Sequence, residues 1–225
     1  MKTLNTYITE WKASLNNENS IKRIGMFVYE INETDINDYT SKKRIKIFDK
    51  DWPLYKKFRK NVRINGEQVS LFGGYTEKKY RPGIYTIEVD GINNNITDTS
   101  WMFHDCKDLV SVQLFNTSYV KNMDGMFNGT KITEVPLFDT NKVETMDYMF
   151  YQCYNITEIP LFDTRNVKSM KGMFSQCKNL EYVPKFNVNN LVRMDETFYM
   201  CNKLNEESKK YWSQIYDFET NRQII

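Results

Sequence analysis

The segment LFDTNKVETMDYMF at residues 137–150 is rewritten as LFDTRNVKSMKGMF at residues 161–174, 24 positions later. Met-Phe pairs extend the series through Met102-Phe103, Met126-Phe127, Met149-Phe150 and Met173-Phe174, and Thr197-Phe198 continues it with the Met replaced. The intervals between these phenylalanines are 24, 23, 24 and 24 residues. Self-similarity at a fixed period of this length restricts the fold more than any local pattern does. A unit this short cannot bury its own apolar face, so successive units must stack around one continuous core.

Each unit divides in two. The first part reads ITEVPLF (132–138), ITEIPLF (156–162) and LEYVPKF (180–186), and LVSVQLF (109–115) is the same segment without Pro. Short apolar segments rich in β-branched residues predict strands, kept short by Pro136, Pro160 and Pro184, which cannot donate to a ladder. The second part opens on Asp139-Thr140, Asp163-Thr164 or Asn116-Thr117 and continues with Val167, Met170, Met173, Phe174 and Cys177 at one-face helical spacing. Asp or Thr in front of that face predicts an N-cap. The reading is an α/β chain: a leucine-rich-repeat-like solenoid of short parallel strands and helices, preceded by a small α+β domain. The expected divisions are residues 1–90 for the N-terminal domain, 91–204 for the repeats and 205–225 for a C-terminal capping helix or tail. The first unit (GINNNITDTSWMF, 91–103) and the last are degenerate, as terminal repeats are when one face must meet something else.

Four cysteines raise a disulfide or metal reading, and their register opposes both. Cys106, Cys153, Cys177 and Cys201 each stand three residues after a repeat Phe, which predicts a buried ladder of free thiols. No C-x-x-C is present, and His104 is the one histidine, in a column otherwise filled by Asn128, Tyr151, Ser175 and Tyr199. No G-x-S-x-G or P-loop motif occurs. No catalytic residue, cofactor or metal site is therefore assigned, and the chain is read as non-enzymatic.

In the N-terminal region, Leu4, Tyr7, Ile8, Trp11 and Leu15 form an apolar stripe at helical spacing. It packs on its own domain or, with Leu4, Tyr7, Ile8 and Trp11, docks into another protein's groove. Residues 24–31, 62–64, 69–72 and 85–89 predict strands, Asn65-Gly66 a hairpin turn, and residues 51–59 a short helix. Residues 42–63 hold ten basic and two acidic side chains interleaved with Phe48, Trp52, Tyr55 and Phe58. That pattern fits nucleic-acid binding or, more plainly, a solvated face whose aromatics enter the core. No apolar run reaches signal-peptide length or the roughly 18 residues of a membrane span. The expectation is a soluble chain with no membrane insertion, in a virion or the bacterial cytoplasm.

The string FDTxxVxxMxxMFxxCxxLxxVP resembles the BspA-type leucine-rich repeat over about residues 91–204. That resemblance implies a surface protein binding host proteins or other cells. Similar units also occur in phages of gut Bacteroidetes, and the opening MKTLNTYITEWK is similar to openings found in that setting. The expected function is protein–protein interaction, first as a structural or accessory component of a bacteriophage virion that contacts other virion proteins. The alternatives are bacterial adhesion or host interaction, and nucleic-acid binding through residues 42–63. Contacts are expected at the strand-face positions Ser111, Gln113, Thr133, Glu134, Thr157, Glu158, Glu181 and Tyr182.

Overall fold

The computed structural model describes residues 24–35, 42–92 and 95–224. The expected docking helix, Leu4, Tyr7, Ile8 and Trp11, lies outside the described residues. The N-terminal part folds as a five-stranded antiparallel sheet in the order β3-β2-β6-β1-β7. Its strands are β1 (Ile24–Ile31), β2 (Val62–Ile64), β3 (Glu67–Val69), β6 (Gly83–Asp90) and β7 (Leu109–Leu114). β2 and β3 are joined at Asn65-Gly66, both with positive φ as a type I′ hairpin requires. A second hairpin pairs β4 (Leu71–Phe72) with β5 (Tyr75–Thr76), and the expected helix is the single turn α1 (Tyr55–Phe58). β7 comes from the first repeat unit yet pairs antiparallel with β1, so one sheet spans both regions.

The expected solenoid of parallel strands and helices is overturned. Of the four segments read as strands, 109–115 alone forms one, and it is antiparallel. In the other three, the apolar side chains turned inward recur at every third residue: Ile156, Ile159, Phe162, again Leu180, Val183, Phe186, and Ile132 and Phe138 with Val135 half-buried between them. Three is the period of polyproline II, whereas a strand alternates with a period of two. The stretches around Pro136, Pro160 and Pro184 therefore present apolar side chains to the core without forming ladders.

The expected helices are absent for a different reason. In residues 99–106 the N–H groups of Met102, His104 and Cys106 close tight turns onto the carbonyls of Thr99, Trp101 and Phe103. Those of Thr99, Trp101, Phe103 and Asp105 leave the coil and reach Asn122, Asp124, Met126 and Asn128 of the next one at 2.8–3.0 Å. An α-helix would spend all of these donors internally and leave none for its neighbour. The same alternation recurs in the next three coils, with isolated parallel bridges at Asn122–Thr145, Thr145–Ser169 and Ser169–Arg193. It requires left-handed backbone at two registers: Trp101, Gly125, Tyr148, Gly172 and Glu196 at one, and Asp105, Gly129, Gln152, Gln176 and Met200 at the other. The burial of Val167, Met170, Met173, Phe174 and Cys177 is thus produced by a chain of turns.

Side chains tie the coils together in columns. Phe103, Phe127, Phe150, Phe174 and Phe198 stack with centroids 5.6–6.0 Å apart, and Phe138, Phe162 and Phe186 form a second stack. The Thr residues expected to cap helices instead donate to the neighbouring coil: Thr117 to Asp139 O, Thr140 to Asp163 O and Thr164 to Asn187 O. Val188 ends this column, where no further coil offers a carbonyl and a buried hydroxyl would lack a partner. Free cysteines form the predicted ladder, with Cys153, Cys177 and Cys201 donating back to Phe127 O, Phe150 O and Phe174 O at 2.9–3.0 Å. Thr130 fills the same register in the shortened unit, 3.6 Å from Cys153 Sγ.

Both ends are closed. Phe27 and Phe48 pack on Phe103, and Asp49 N donates to Met102 O. At the other end α2 (Glu206–Trp212) sets Trp212 against Phe186 and Phe198, and Asn221 O takes the bond from Glu196 N that a next coil would take. Residues 216–223 form a last hairpin of β8 (Tyr216–Asp217) and β9 (Arg222–Gln223).

Gly125 and Gly172 alternate with aromatic residues for lack of space, since Tyr148 and Trp101 hold the same positive φ. A Cβ on Gly172 would meet Tyr148 Cε1 at 2.5 Å, and one on Gly125 would meet Trp101 Cε3 at 2.3 Å. Gly172→Ala is expected to destabilise the fold by about 1–3 kcal/mol, with much of the loss recovered in a Tyr148→Ala background. A double-mutant cycle in denaturant checks this, and additive losses would refute the contact. Burial raises the thiols of Cys153 and Cys201 to about 12 from an ordinary 9.0. A raised acid contributes stability below its unfolded value, so stability should fall as pH climbs from 9 towards about 12. The native thiols should resist alkylation until denaturant is added; rapid labelling of all four at neutral pH would contradict the ladder.

Candidate functional site

The sides of the coil stack are the surfaces left once both ends are closed. One side carries a shallow groove of about 570 Å³ lined by Thr133, Glu134, Val135, Thr157, Glu158, Ile159, Pro160, Leu161, Tyr182 and Pro184. Five of the eight sequence-predicted positions meet here: Thr133, Glu134, Thr157, Glu158 and Tyr182. Glu181 is exposed beside them. Ser111 is 2% exposed on β7, and Gln113 donates to its hydroxyl, so these two lie off the groove in a half-buried contact.

The groove follows from the turn geometry. Where coils are joined by the backbone ladder they close on one another. Among the described residues no backbone hydrogen bond joins 132–138 to 156–162, and the next pair is held by the bridge of Glu158 with Tyr182. The threefold twist that buries Phe138 and Phe162 turns the preceding residue outward. Leu137 and Leu161 are accordingly 74% and 62% exposed. Sequence reading missed this column because a strand would have placed it differently; the signal was a Leu repeated at one register directly before each buried Phe.

Electrostatics mark the same surface. Glu134 and Glu158 occupy one register in successive coils, on the pair of segments that, among the described residues, no backbone hydrogen bond draws together. Among the described residues neither they nor Glu181 form an ion pair. Elsewhere a cross-coil charge is matched, as where Lys168 Nζ meets Glu144 Oε2 at 2.8 Å. Like charges side by side cost stability, so the groove carries a column that the fold itself does not need.

Other candidates resolve into structure. Asp49 accepts from Lys46 at 2.7 Å and faces His104 Nδ1 at 3.4 Å, while Lys46 also donates to His104 O. Burial favours the neutral acid here, but the hydrogen bonds from His104 and Lys46 outweigh it and hold Asp49 well below the usual carboxylate range. The cluster pins the N-terminal region to the first coil. Cys106, the nearest thiol, is pushed far up by burial and does not serve as a nucleophile at neutral pH. Among the described residues no three His, Cys, Asp or Glu side chains converge to hold a metal ion. In the basic span, Phe48, Trp52, Tyr55 and Phe58 are all buried, so these four rings are not free to stack on bases. Among the described residues no helix is long and apolar enough to cross a membrane.

The family model described as "Mycoplasma protein of unknown function, DUF285" matches residues 90–181 and 130–221, and the chain belongs to that family. This domain is found in BspA-like surface repeat proteins. No curated protein and no solved structure matches the chain.

If the glutamate column is kept for something other than stability, Glu134→Lys should stabilise the fold by about 0.2–1 kcal/mol through its new pairing with Glu158. Chemical denaturation checks the sign, and a clear loss of stability would mean that Glu134 supports the fold.

Proposed function

We propose that the protein is a non-enzymatic binding protein that docks another protein on the groove beside Leu137 and Leu161. The observation that carries this reading is a side-chain array with no internal role. Most polar columns of the repeats are spent on coil-to-coil hydrogen bonds, while the groove holds unmatched carboxylates and outward leucines on a fixed backbone. Rigid presentation lowers the ordering cost of association, and apolar anchors rimmed by charge are the usual anatomy of a protein interface. Membership of a family found in BspA-like surface repeat proteins supports a setting at a cell surface, as an adhesion or host-interaction protein. The virion setting rests on the sequence resemblance.

The test is affinity capture with the full chain and with Leu161→Asp/Glu158→Lys, each checked for an unchanged melting curve. Expected is a partner enriched by the parent and lost with the variant. Host or envelope proteins would support the surface setting, and portal, capsid or tail components the virion. Identical recoveries with both chains would overturn the groove as the site.

A further inference from the structure

Among the described residues, the most exposed large apolar side chain lies at the opposite end from the closed C-terminal coils. Phe72, at the tip of the β4–β5 hairpin, is 75% exposed, and Tyr75 across the turn is partly exposed too. Gly73 and Gly74 both have positive φ, which makes the two-residue turn as tight as a hairpin allows and leaves the two rings as its most prominent side chains. The tip is held in place from below. A Cβ on Gly74 would lie 2.1 Å from Phe48 O, and Gly74 N donates to the buried Tyr55 hydroxyl. Leu71 N donates to Arg59 O, so the hairpin rides on α1. That element and its flank carry Lys56, Lys57 and Lys60, all exposed and none ion-paired among the described residues.

An aromatic knob with a cationic collar is the chemical complement of the groove, which offers outward leucines and an unmatched column of carboxylates. The two halves of the chain are biased in the same sense: residues 42–63 hold ten basic and two acidic side chains, and residues 91–202 hold ten basic and thirteen acidic. We infer that the occupant of the groove is the Phe72 hairpin of a second copy of this chain, in a head-to-tail contact. This deepens the reading of the groove as a protein-docking site and rests on it. Knob and groove are different patches, so the contact is heterologous and generates a ring or an open file of molecules. Coil-on-coil stacking between copies is not available, because Trp212 and the β8–β9 hairpin cover the last coil. The carboxylates of the groove select lysines by charge and favour fast, salt-sensitive association.

Sedimentation of the full chain across concentration, at low and high salt, tests the contact. Expected is a mass that rises with concentration and falls back towards the monomer in high salt. Phe72→Asp, and separately Glu134→Lys/Glu158→Lys, should each weaken association by roughly tenfold or more with unchanged circular dichroism. Mixing the glutamate variant with Lys56→Glu/Lys57→Glu/Lys60→Glu should restore association that neither shows alone. A monomer up to roughly 1 mM at low salt would overturn the inference, and so would association that persists in both variants. Neither result touches the capture experiment, whose partner would then be a different protein.

Discussion

Everything in the repeat region depends on which way alternate backbone N–H groups point. In the turns around each repeat Phe, one N–H closes its own turn and the next crosses to the following coil. That division needs left-handed backbone twice per coil, supplied by non-glycine residues more often than by glycine. Left-handed conformations cost free energy, and the ladder of coil-to-coil bonds they permit holds them in place. The aromatic stacks follow, because the ladder fixes the separation at which identical rings meet. The short second unit is tolerated for the same reason. Thr130 N still closes onto Phe127 O as Cys153 N closes onto Phe150 O, so the missing residue falls in the return loop beyond the ladder.

The period, the stacked core and the thiol ladder were legible in the sequence because they depend only on recurrence of residue type. The secondary structure was not. A 3-3-1-3 spacing of Val167, Met170, Met173, Phe174 and Cys177 is what an amphipathic helix would write, and a run of i→i+3 turns writes it equally well. The discriminating residues were Gly125, Gly172 and Gly129, placed inside a supposed helix where they would weaken it. Their alternation with Trp101, Tyr148 and Asp105 reads as large against small in adjacent coils, which a helix would not require. The N-terminal sheet was readable in most of its strands, since they are short runs of apolar and β-branched residues bounded by turn residues. That β7 joins it from the first repeat was not, because register across a long separation leaves no local trace.

The groove was half legible. Thr133, Glu134, Thr157, Glu158 and Tyr182 were reached on the assumption of a strand face, and they share a surface although the strand is absent. Columns in stacked coils come together whatever the backbone conformation, as long as the period holds. Ser111 failed to join them for the complementary reason: where a true strand does form, pairing with β1 turns that column inward.

The chain thereby separates the residues that hold the coils from those that face outward. Phe, Cys, Thr and the left-handed positions each answer to a neighbour in the next coil, so substitution there is felt along the stack. The side-chain columns of Glu134 and of Leu137 are less constrained: the first runs Glu134, Glu158, Tyr182 and the second Leu137, Leu161, Lys185, where Lys185 lies over the Tyr211 ring of the C-terminal cap. Residue type changes along them without disturbing a hydrogen bond or a stacked ring. A surface built this way can change its charge and apolar content while the scaffold beneath it stays fixed. The stability cost of the unmatched carboxylates is small enough for the ladder to absorb.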